Sequence, residues 1–298
     1  MSVTAHIDTL KEIVAHPLNH HRKLAALADY FRWNIGKRLL GADYILPLAD
    51  EVKIILSDRQ NYATLAYTCR LWDFEEMMFM LHFLRPGDRF ADIGANVGAY
   101  TVLASAVAGA HSVAFEPVPF THDELVRNIR LNNIEHLADA HRICLGSEKG
   151  TVRMTADRGG LNHVATEGDT GTFVDTEVMC LDEVLAGTSC QFIKMDAEGY
   201  EAEILKGARA TMENSALSGL IVELNDSGLR YGHTNEAVHD TLTGFGFAPY
   251  RYDPRQRTLA PERGFNASAL NTLYLRNLAD ITSRVASARS IVVRDEAI

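Results

Sequence analysis

With 298 residues, 47% of them hydrophobic and 23% charged, the chain has room for one large α/β domain plus an extension, and the composition of a globular protein with a sizeable core. A net charge of −10, from 29 basic and 39 acidic residues, argues against a broad nucleic-acid surface and leaves only a local basic patch open. The longest nearly apolar stretch, 102–110, is too short to span a bilayer, so no membrane partner is expected. The four cysteines (Cys69, Cys144, Cys180, Cys190) include no C-x-x-C. With no signal-peptide pattern in MSVTAHIDTL, they are expected to be reduced, buried thiols of a cytoplasmic protein.

Residues 1–85 read as a mainly helical extension, or cap. HHRKLAALADYFRWNIGKRLL (20–40) has helical spacing, with Arg22, Lys23, Arg32, Lys37 and Arg38 expected on a solvated face. EVKIILS (51–57) is a short strand candidate, and WDFEEMMFMLHFL (72–84) is a helix ended by Pro86-Gly87, its methionines expected in the core. From 86 to 278 strands and helices alternate: strand RFADIG, helix NVGAYTVLASAVAG, strand HSVAFEP, helix THDELVRNIRLNN and strand DAHRICLG. TVRMTA and TEVMCL are strands on either side of the polar, glycine-rich loop 157–172. Strand CQFIKMDAEG, helix YEAEILKGARATM, strand GLIVEL, helix EAVHDTLTGFG and two strands near PYRYD and NTLYLRN follow, and 279–298 read as a tail. Apolar strands alternating with amphipathic helices indicate a doubly wound parallel sheet covered on both faces.

In such sheets ligands bind outside the carboxyl ends of the strands, at the point where strand order reverses. Several strands here end in acids: Asp92 with Gly94, then Glu116, then Asp196 with Glu198, and a fourth carries Glu223, Asn225 and Asp226. A dinucleotide fingerprint is G-x-G-x-x-G, its second glycine admitting a pyrophosphate. The chain has Gly94-Ala95-Asn96-Val97-Gly98, which keeps the turn and loses the phosphate cradle. Glu116, 24 positions after Asp92, stands where an acid accepts both hydroxyls of a ribose. Capping of the following helix is its structural alternative, although Pro119 and Thr121 already offer that helix a start. An adenosine ligand without pyrophosphate fits this pattern, and S-adenosylmethionine is one.

FADIGANVGAYT, AFEPVPFTHDELVRNIRLNN, LDEV and FIKMDAEGYEAEILKGA resemble the FkbM family of S-adenosylmethionine-dependent methyltransferases. HPLNHHRKLAALADYFRW and FEEMMFMLHFLRPGD resemble upstream segments of bacterial members, so the likeness covers most of residues 15–280. K-x-D-x-E-G after the fourth strand is its most specific part. The resemblance implies a class I methyltransferase (Rossmann-like) fold of seven strands with the last reversed. It also implies transfer to an oxygen, often on sugars or natural-product scaffolds, with a small molecule as acceptor. Position by position, it implies that Asp92, Gly94, Asn96 and Gly98 surround the methionine end of the cofactor and that Glu116 binds ribose. Pro117 or Val118 would touch adenine, and Asp196 and Glu198 would contact cofactor or act in catalysis.

Alternation puts Lys194 on the face of Asp196 and Glu198, as an ion-pair network or as part of the reaction centre. Asn162 and His163, in a stretch that resembles the family's G-x-N segment, are candidates for substrate contact, with His163 also a candidate for proton chemistry. Glu223 is a further substrate-binding or base candidate, and Glu75 faces either the cleft or solvent. Removing a hydroxyl proton needs a base, with Asp196 first among Glu198, Glu223 and His163. Asp196 with Asn225 and Asp226 matches a magnesium site only loosely, and no metal is assigned. The rivals are N-methylation of an amine or amide, an NAD-dependent oxidoreductase, and a cofactor-binding module without catalysis. MDAEGY counts against the (Asp/Asn)-Pro-Pro-(Tyr/Phe) type of N-methyltransferase, Asn96 against NAD, and the strand-end acids against a non-catalytic module. Acceptor identity and oligomeric state are not readable.

Overall fold

A computed structural model of the protein describes residues 3–40, 43–57, 62–267 and 269–298. Eight strands form its central sheet: β1 (Arg89–Ile93), β2 (His111–Phe115), β3 (Ala138–His141), β4 (Phe192–Met195), β5 (Gly219–Glu223), β6 (Ala248–Asp253), β7 (Thr258–Pro261) and β8 (Asn271–Leu275). Their order across the sheet is β7-β6-β8-β5-β4-β1-β2-β3. Strands β1 to β5 are parallel, and β8 lies antiparallel between β5 and β6. This is the class I methyltransferase arrangement of seven strands with the last reversed, extended by β7 at the edge. The sequence leaves β7 unmarked because it is mostly exposed and ends in Pro261, so it has no buried stripe and cannot continue a ladder.

The parallel strands are buried on both faces, which is why they read as near-continuous apolar runs. Phe90, Phe192 and Ile221 pack with helix Phe74–Phe83 on one side, whereas Ala91, Ile193, Met195 and Val222 pack with Ile204, Leu205 and Val238 on the other. Asp92 and Lys194 are cross-strand neighbours, and alternation puts them on the Phe90 and Phe192 side. The two charged residues of the strand ends therefore face the N-terminal helices.

Three expected elements are subdivided. The helix after β1 is α-helical only over Ala99–Val102 and continues as a π-helical turn, Leu103–Val107. The helix after β4 is two short ones, Glu201–Lys206 and Arg209–Glu213. The expected strand at 139–146 gives β3 to the central sheet and Cys144–Leu145 to a small sheet, where Phe173–Met179 lies between it and Gly150–Thr155.

Residues before β1 form helices Val3–Ala15, Lys23–Leu40, Ala63–Cys69 and Phe74–Phe83 and the hairpin Tyr44–Pro47/Lys53–Leu56. Met77, Met78 and Met80 are wholly buried in the same core as the sheet. The hairpin is fastened to helix Pro119–Leu131, where Asn128 Oδ1 accepts from the Ile55 N–H at 2.7 Å. Of the basic residues expected in solvent, Lys23, Arg32 and Arg38 are exposed, whereas Arg22 is partly buried and pairs with Asp29 at 2.6 Å; Arg32 meets the same Asp29 at 2.9 Å from the solvent side. The expected tail also belongs to the core. Helix Leu278–Ala286 buries Ile281 and Val285, four residues apart, and the hairpin Val292–Val293/Glu296–Ala297 buries Val293. Arg284 closes this contact on Asp88 at 2.5 Å. All four cysteines are free thiols, and no helix among the described residues is long and apolar enough to cross a membrane.

Candidate active site

Strand order reverses at β1, between β2 and β4, and the carboxyl ends of these strands open into a cleft. The turn after β1 has little steric freedom. Gly94 has φ +73°, and a Cβ on it would stand 1.8 Å from the Asp196 carbonyl oxygen. Gly98 has φ +87°, with Leu125 Cδ1 2.3 Å from a would-be Cβ. Asn96, at the place of the missing middle glycine, has φ +51°. Asparagine is among the few side chains that tolerate left-handed backbone, so the turn survives the substitution.

One cavity extends from this turn along the ends of β2 and β4; Gly94, Asn96, Glu116, Val118 and Asp196 line it. Pro117, Ile143 and Leu145 add apolar wall. Glu116 is buried; its Oε2 accepts from the Asn96 N–H at 3.0 Å and its Oε1 from the Val118 N–H at 2.9 Å. Burial pushes its carboxyl up to about 7 against the pull of these two donors. Each oxygen keeps a second lone pair, so a vicinal diol would still find two acceptors. The side chain thereby braces the glycine turn and the start of helix Pro119–Leu131.

The loop between Gly150–Thr155 and Phe173–Met179 contributes Gly159, Gly160 and Asn162 to the same cavity. Asn162 is engaged within the loop: Oδ1 accepts from the Arg158 N–H at 3.0 Å and Nδ2 donates to the Gly159 carbonyl at 2.7 Å. The structure gives His163 a different place from the one expected. It does not line the cavity; Nδ1 lies 2.9 Å from the Leu161 carbonyl oxygen and Nε2 3.2 Å from both Asp169 oxygens. Both contacts lie within the loop, so the ring pins it and stands outside the cavity lining.

A second cavity, of about 420 Å³, shares Gly94, Asn96 and Asp196 with the first and is also lined by Asp73, Tyr100 and Lys194. Lys194, 2% exposed, donates to Asp196 Oδ2 at 3.1 Å and to Asn271 Oδ1 at 3.2 Å. Its neighbours Asp196, Glu223 and Asp73 keep it charged against the cost of burial. Asp92 accepts from Thr101 Oγ1 at 2.6 Å; burial raises it to about 6, although Thr101 and Lys194 pull the other way.

Asp196, Glu198 and Glu223 each bring a carboxylate oxygen within 4.8 Å of the other two. Strand alternation is not what gathers them. β4 ends at Met195, and Glu198 has φ +52°, so the loop itself turns its side chain back. Burial, then the Asp196 charge, raises Glu198 to about 7 and moves Glu223 further up. Three carboxylates of this kind suit a hard divalent cation. In the looser alternative, Asn225 and Asp226 are engaged locally: Asn225 Oδ1 accepts from the Ser227 N–H at 3.0 Å, and Asp226 Oδ1 from Asn235 Nδ2 at 2.8 Å. Glu75 lines a separate hollow with Arg251 and Glu262.

Several site residues went unread in the sequence. Glu201 Oε1 accepts from the N–H groups of Ala197 and Gly199 at 2.8 and 3.3 Å, a reach-back from a first helical turn for which an acid at that place is the available signal. Asn271 meets Lys194 through strand pairing two positions away, with no local signal. Tyr62, Trp72 and Asp73 come from the N-terminal segment, far from the strand-end motifs in the chain.

The model of the Methyltransferase FkbM domain matches residues 92–249. Hexuronic acid methyltransferase AglP of Haloferax volcanii is 27% identical over 140 residues, 45% of this chain and 54% of that protein, so the match spans about half of that relative's length. Among solved structures, precorrin-6y C5,15-methyltransferase of Geobacter metallireducens is 10% identical, with a TM-score of 0.40 and 69% of this chain and 88% of that one covered. The tRNA (uracil-54, C5)-methyltransferase of Pyrococcus abyssi, in complex with S-adenosyl-L-homocysteine, is 12% identical, with a TM-score of 0.36 and coverages of 63% and 36%.

Proposed function

The chain belongs to the FkbM methyltransferase family, and from that premise we propose that it carries a methyl group from S-adenosylmethionine to a hydroxyl of a sugar or natural-product small molecule. The observation that carries this reading is the pair of cavities that share Gly94, Asn96 and Asp196 in their lining. One arm ends at an acid with lone pairs to spare, and the other is lined by charged groups of both signs. That donor and acceptor set fits an adenosine with a zwitterionic tail. S-adenosylmethionine, when bound, supplies an electrophilic methyl on a sulfonium.

The residues of the chain then have separable tasks. Glu116 accepts the ribose hydroxyls, and Pro117, Val118, Ile143 and Leu145 flank the base. Asp196, which lines both arms and pairs with Lys194 at 3.1 Å, orients the acceptor hydroxyl where the two arms share their lining. Glu198 takes the proton on a carboxylate oxygen. Its value of about 7 gives it the basicity a general base needs near neutral pH, where such a group contributes about 10²–10⁴-fold. A sugar acceptor is favoured by the name of the Haloferax relative. A second reading, N-methylation of an amine, draws on the excess of carboxyl groups at Asp196, Glu198 and Glu223, which favours a cationic acceptor. The net charge of −10 disfavours a nucleic acid.

Calorimetric titration tests the cofactor: S-adenosylhomocysteine is expected to bind and NAD to fail. NAD binding without S-adenosylhomocysteine binding would sink the proposal. Comparing metabolites of a deletion strain with those of its parent, for compounds lighter by one methylene, then identifies the acceptor.

A further inference from the structure

The second cavity is walled on one side by residues that precede the sheet altogether. Tyr62 and Trp72 line it with their rings stacked, centroids 4.7 Å apart and planes 24° apart. The Tyr62 hydroxyl is buried and has no hydrogen-bond partner among the described residues. Asp73 occupies the N-cap position of helix Phe74–Phe83, yet its side chain makes no capping hydrogen bond. An aspartate there ordinarily accepts from an N–H of the first turn, a bond worth about 1 kcal/mol. Asp73 forgoes it: its Oδ2 accepts from the Tyr100 hydroxyl at 2.9 Å, and it lines the cavity. Burial raises the Asp73 carboxyl, against the pull of Lys194 and Tyr100, so a cation arriving beside it would be stabilised. Opposite stands Lys194, whose ammonium has three N–H donors, two of them directed at Asp196 and Asn271. It lies 5.5 Å from the centroid of the Tyr100 ring.

An anion with an aromatic face beside it, a buried unpartnered hydroxyl and a buried ammonium with a donor to spare together complement an α-amino acid. We propose that Tyr62, Trp72 and Asp73, with Lys194, form the subsite for the amino-acid end of the cofactor. Asp73 and the face of Trp72 receive the α-ammonium, by charge and by cation–π attraction. Lys194 and the Tyr62 hydroxyl receive the α-carboxylate. The inference rests on the S-adenosylmethionine reading above and changes the part played by the N-terminal segment: residues 62–73 complete the cofactor site, so the segment is more than a cap over the acceptor.

The experiment compares S-adenosylhomocysteine with 5′-methylthioadenosine, which has the same adenosine and thioether and lacks the amino acid. Calorimetry on the full chain is expected to show Asp73→Asn losing at least about tenfold in affinity for S-adenosylhomocysteine, the scale of one charged hydrogen bond, with 5′-methylthioadenosine unaffected. Tyr62→Phe, which removes only the hydroxyl, is expected to show a smaller loss with the same selectivity. Equal losses on both ligands, or no loss on either, would overturn the subsite, since a merely structural role cannot distinguish them. Wild-type protein that binds 5′-methylthioadenosine as tightly as S-adenosylhomocysteine would also overturn it, while leaving the cofactor class standing. Failure of the wild type to bind either one would overturn the cofactor reading and the subsite with it.

Discussion

Replacing Glu116 by glutamine separates the two tasks of this side chain. The volume is kept, but one of two acceptor oxygens becomes an N–H donor. In the native site those oxygens accept from Asn96 at 3.0 Å and from Val118 at 2.9 Å, so in the variant one backbone N–H faces another donor. A buried donor left without its acceptor costs about 1–3 kcal/mol of stability. Loss of the charge also weakens the bond to a ribose hydroxyl by about 1.5–3 kcal/mol, roughly a ten- to hundredfold loss in affinity. Calorimetric titration with S-adenosylhomocysteine, paired with a thermal melt, reads both quantities. The pH dependence adds a sign. Because burial holds Glu116 at about 7, the ionised form that accepts from both hydroxyls is lost as pH falls through that value. Wild-type affinity is expected to rise across neutral pH, and that of the variant to stay flat through this window. Unchanged affinity in Glu116→Gln, with an unchanged pH profile, would refute the ribose assignment and leave Glu116 as a brace for the turn.

Asp196→Asn is expected to fold and to bind S-adenosylhomocysteine while losing about 10²-fold in turnover, the scale of a misplaced acceptor; lost cofactor binding would move Asp196 out of the acceptor's half of the site. Turnover of the wild type is expected to fall as pH drops through about 7, where Glu198 gains its proton, and Glu198→Gln should remove that limb along with most of the rate. Gly94→Ala puts a methyl 1.8 Å from the Asp196 carbonyl oxygen on left-handed backbone, so a large drop in melting temperature and loss of cofactor binding are expected; a wild-type melt would show that the two strand ends can move apart. Glu76, raised by burial and then by Asp73 from 4.5 to about 8, contributes stability that is full below its unfolded value and is lost as pH rises through about 8. Glu76→Gln should therefore raise the melting temperature above that pH and leave it nearly unchanged in acid.

The fold was legible wherever burial imposes a period. β1, β2, β4 and β5 are covered on both faces, and each appears as an apolar run ending in an acid or glycine. The methionines of helix Phe74–Phe83 were legible as core for the same reason. Legibility fails where burial is one-sided or the element is very short. The two residues Cys144–Leu145 peel off to a second sheet, and nothing within a continuous eight-residue run marks the break. The C-terminal segment has only a short apolar stripe, at Ile281 and Val285, and its contact with Asp88 through Arg284 spans 196 positions. A window read along the chain cannot contain such a contact.

The site divides along another line. Residues whose task is set by the backbone announced themselves: Gly94, Gly98 and Glu116 have steric or strand-end reasons to be what they are. Residues whose task depends on which hydrogen bonds a side chain declines were hidden. His163 looked suited to proton chemistry from its place in a stretch that resembles the family's G-x-N segment, but its two nitrogens face Leu161 and Asp169 within the loop. Asp73 stands at a helix N-cap position, where an aspartate usually caps, but its carboxylate leaves the helix uncapped and turns to Tyr100. In both cases the residue type and its position are ordinary, and only the partner decides the role. The acceptor's identity is illegible for a related reason: Asp196, Glu198 and Glu223 come from two strand ends, and their pairing with Lys194 and Asn271 arises from register across β4, β5 and β8. The charge an acceptor meets there depends on how many of these carboxyls hold a proton. That is set by burial and mutual repulsion within the folded cleft, and a sequence motif does not carry it.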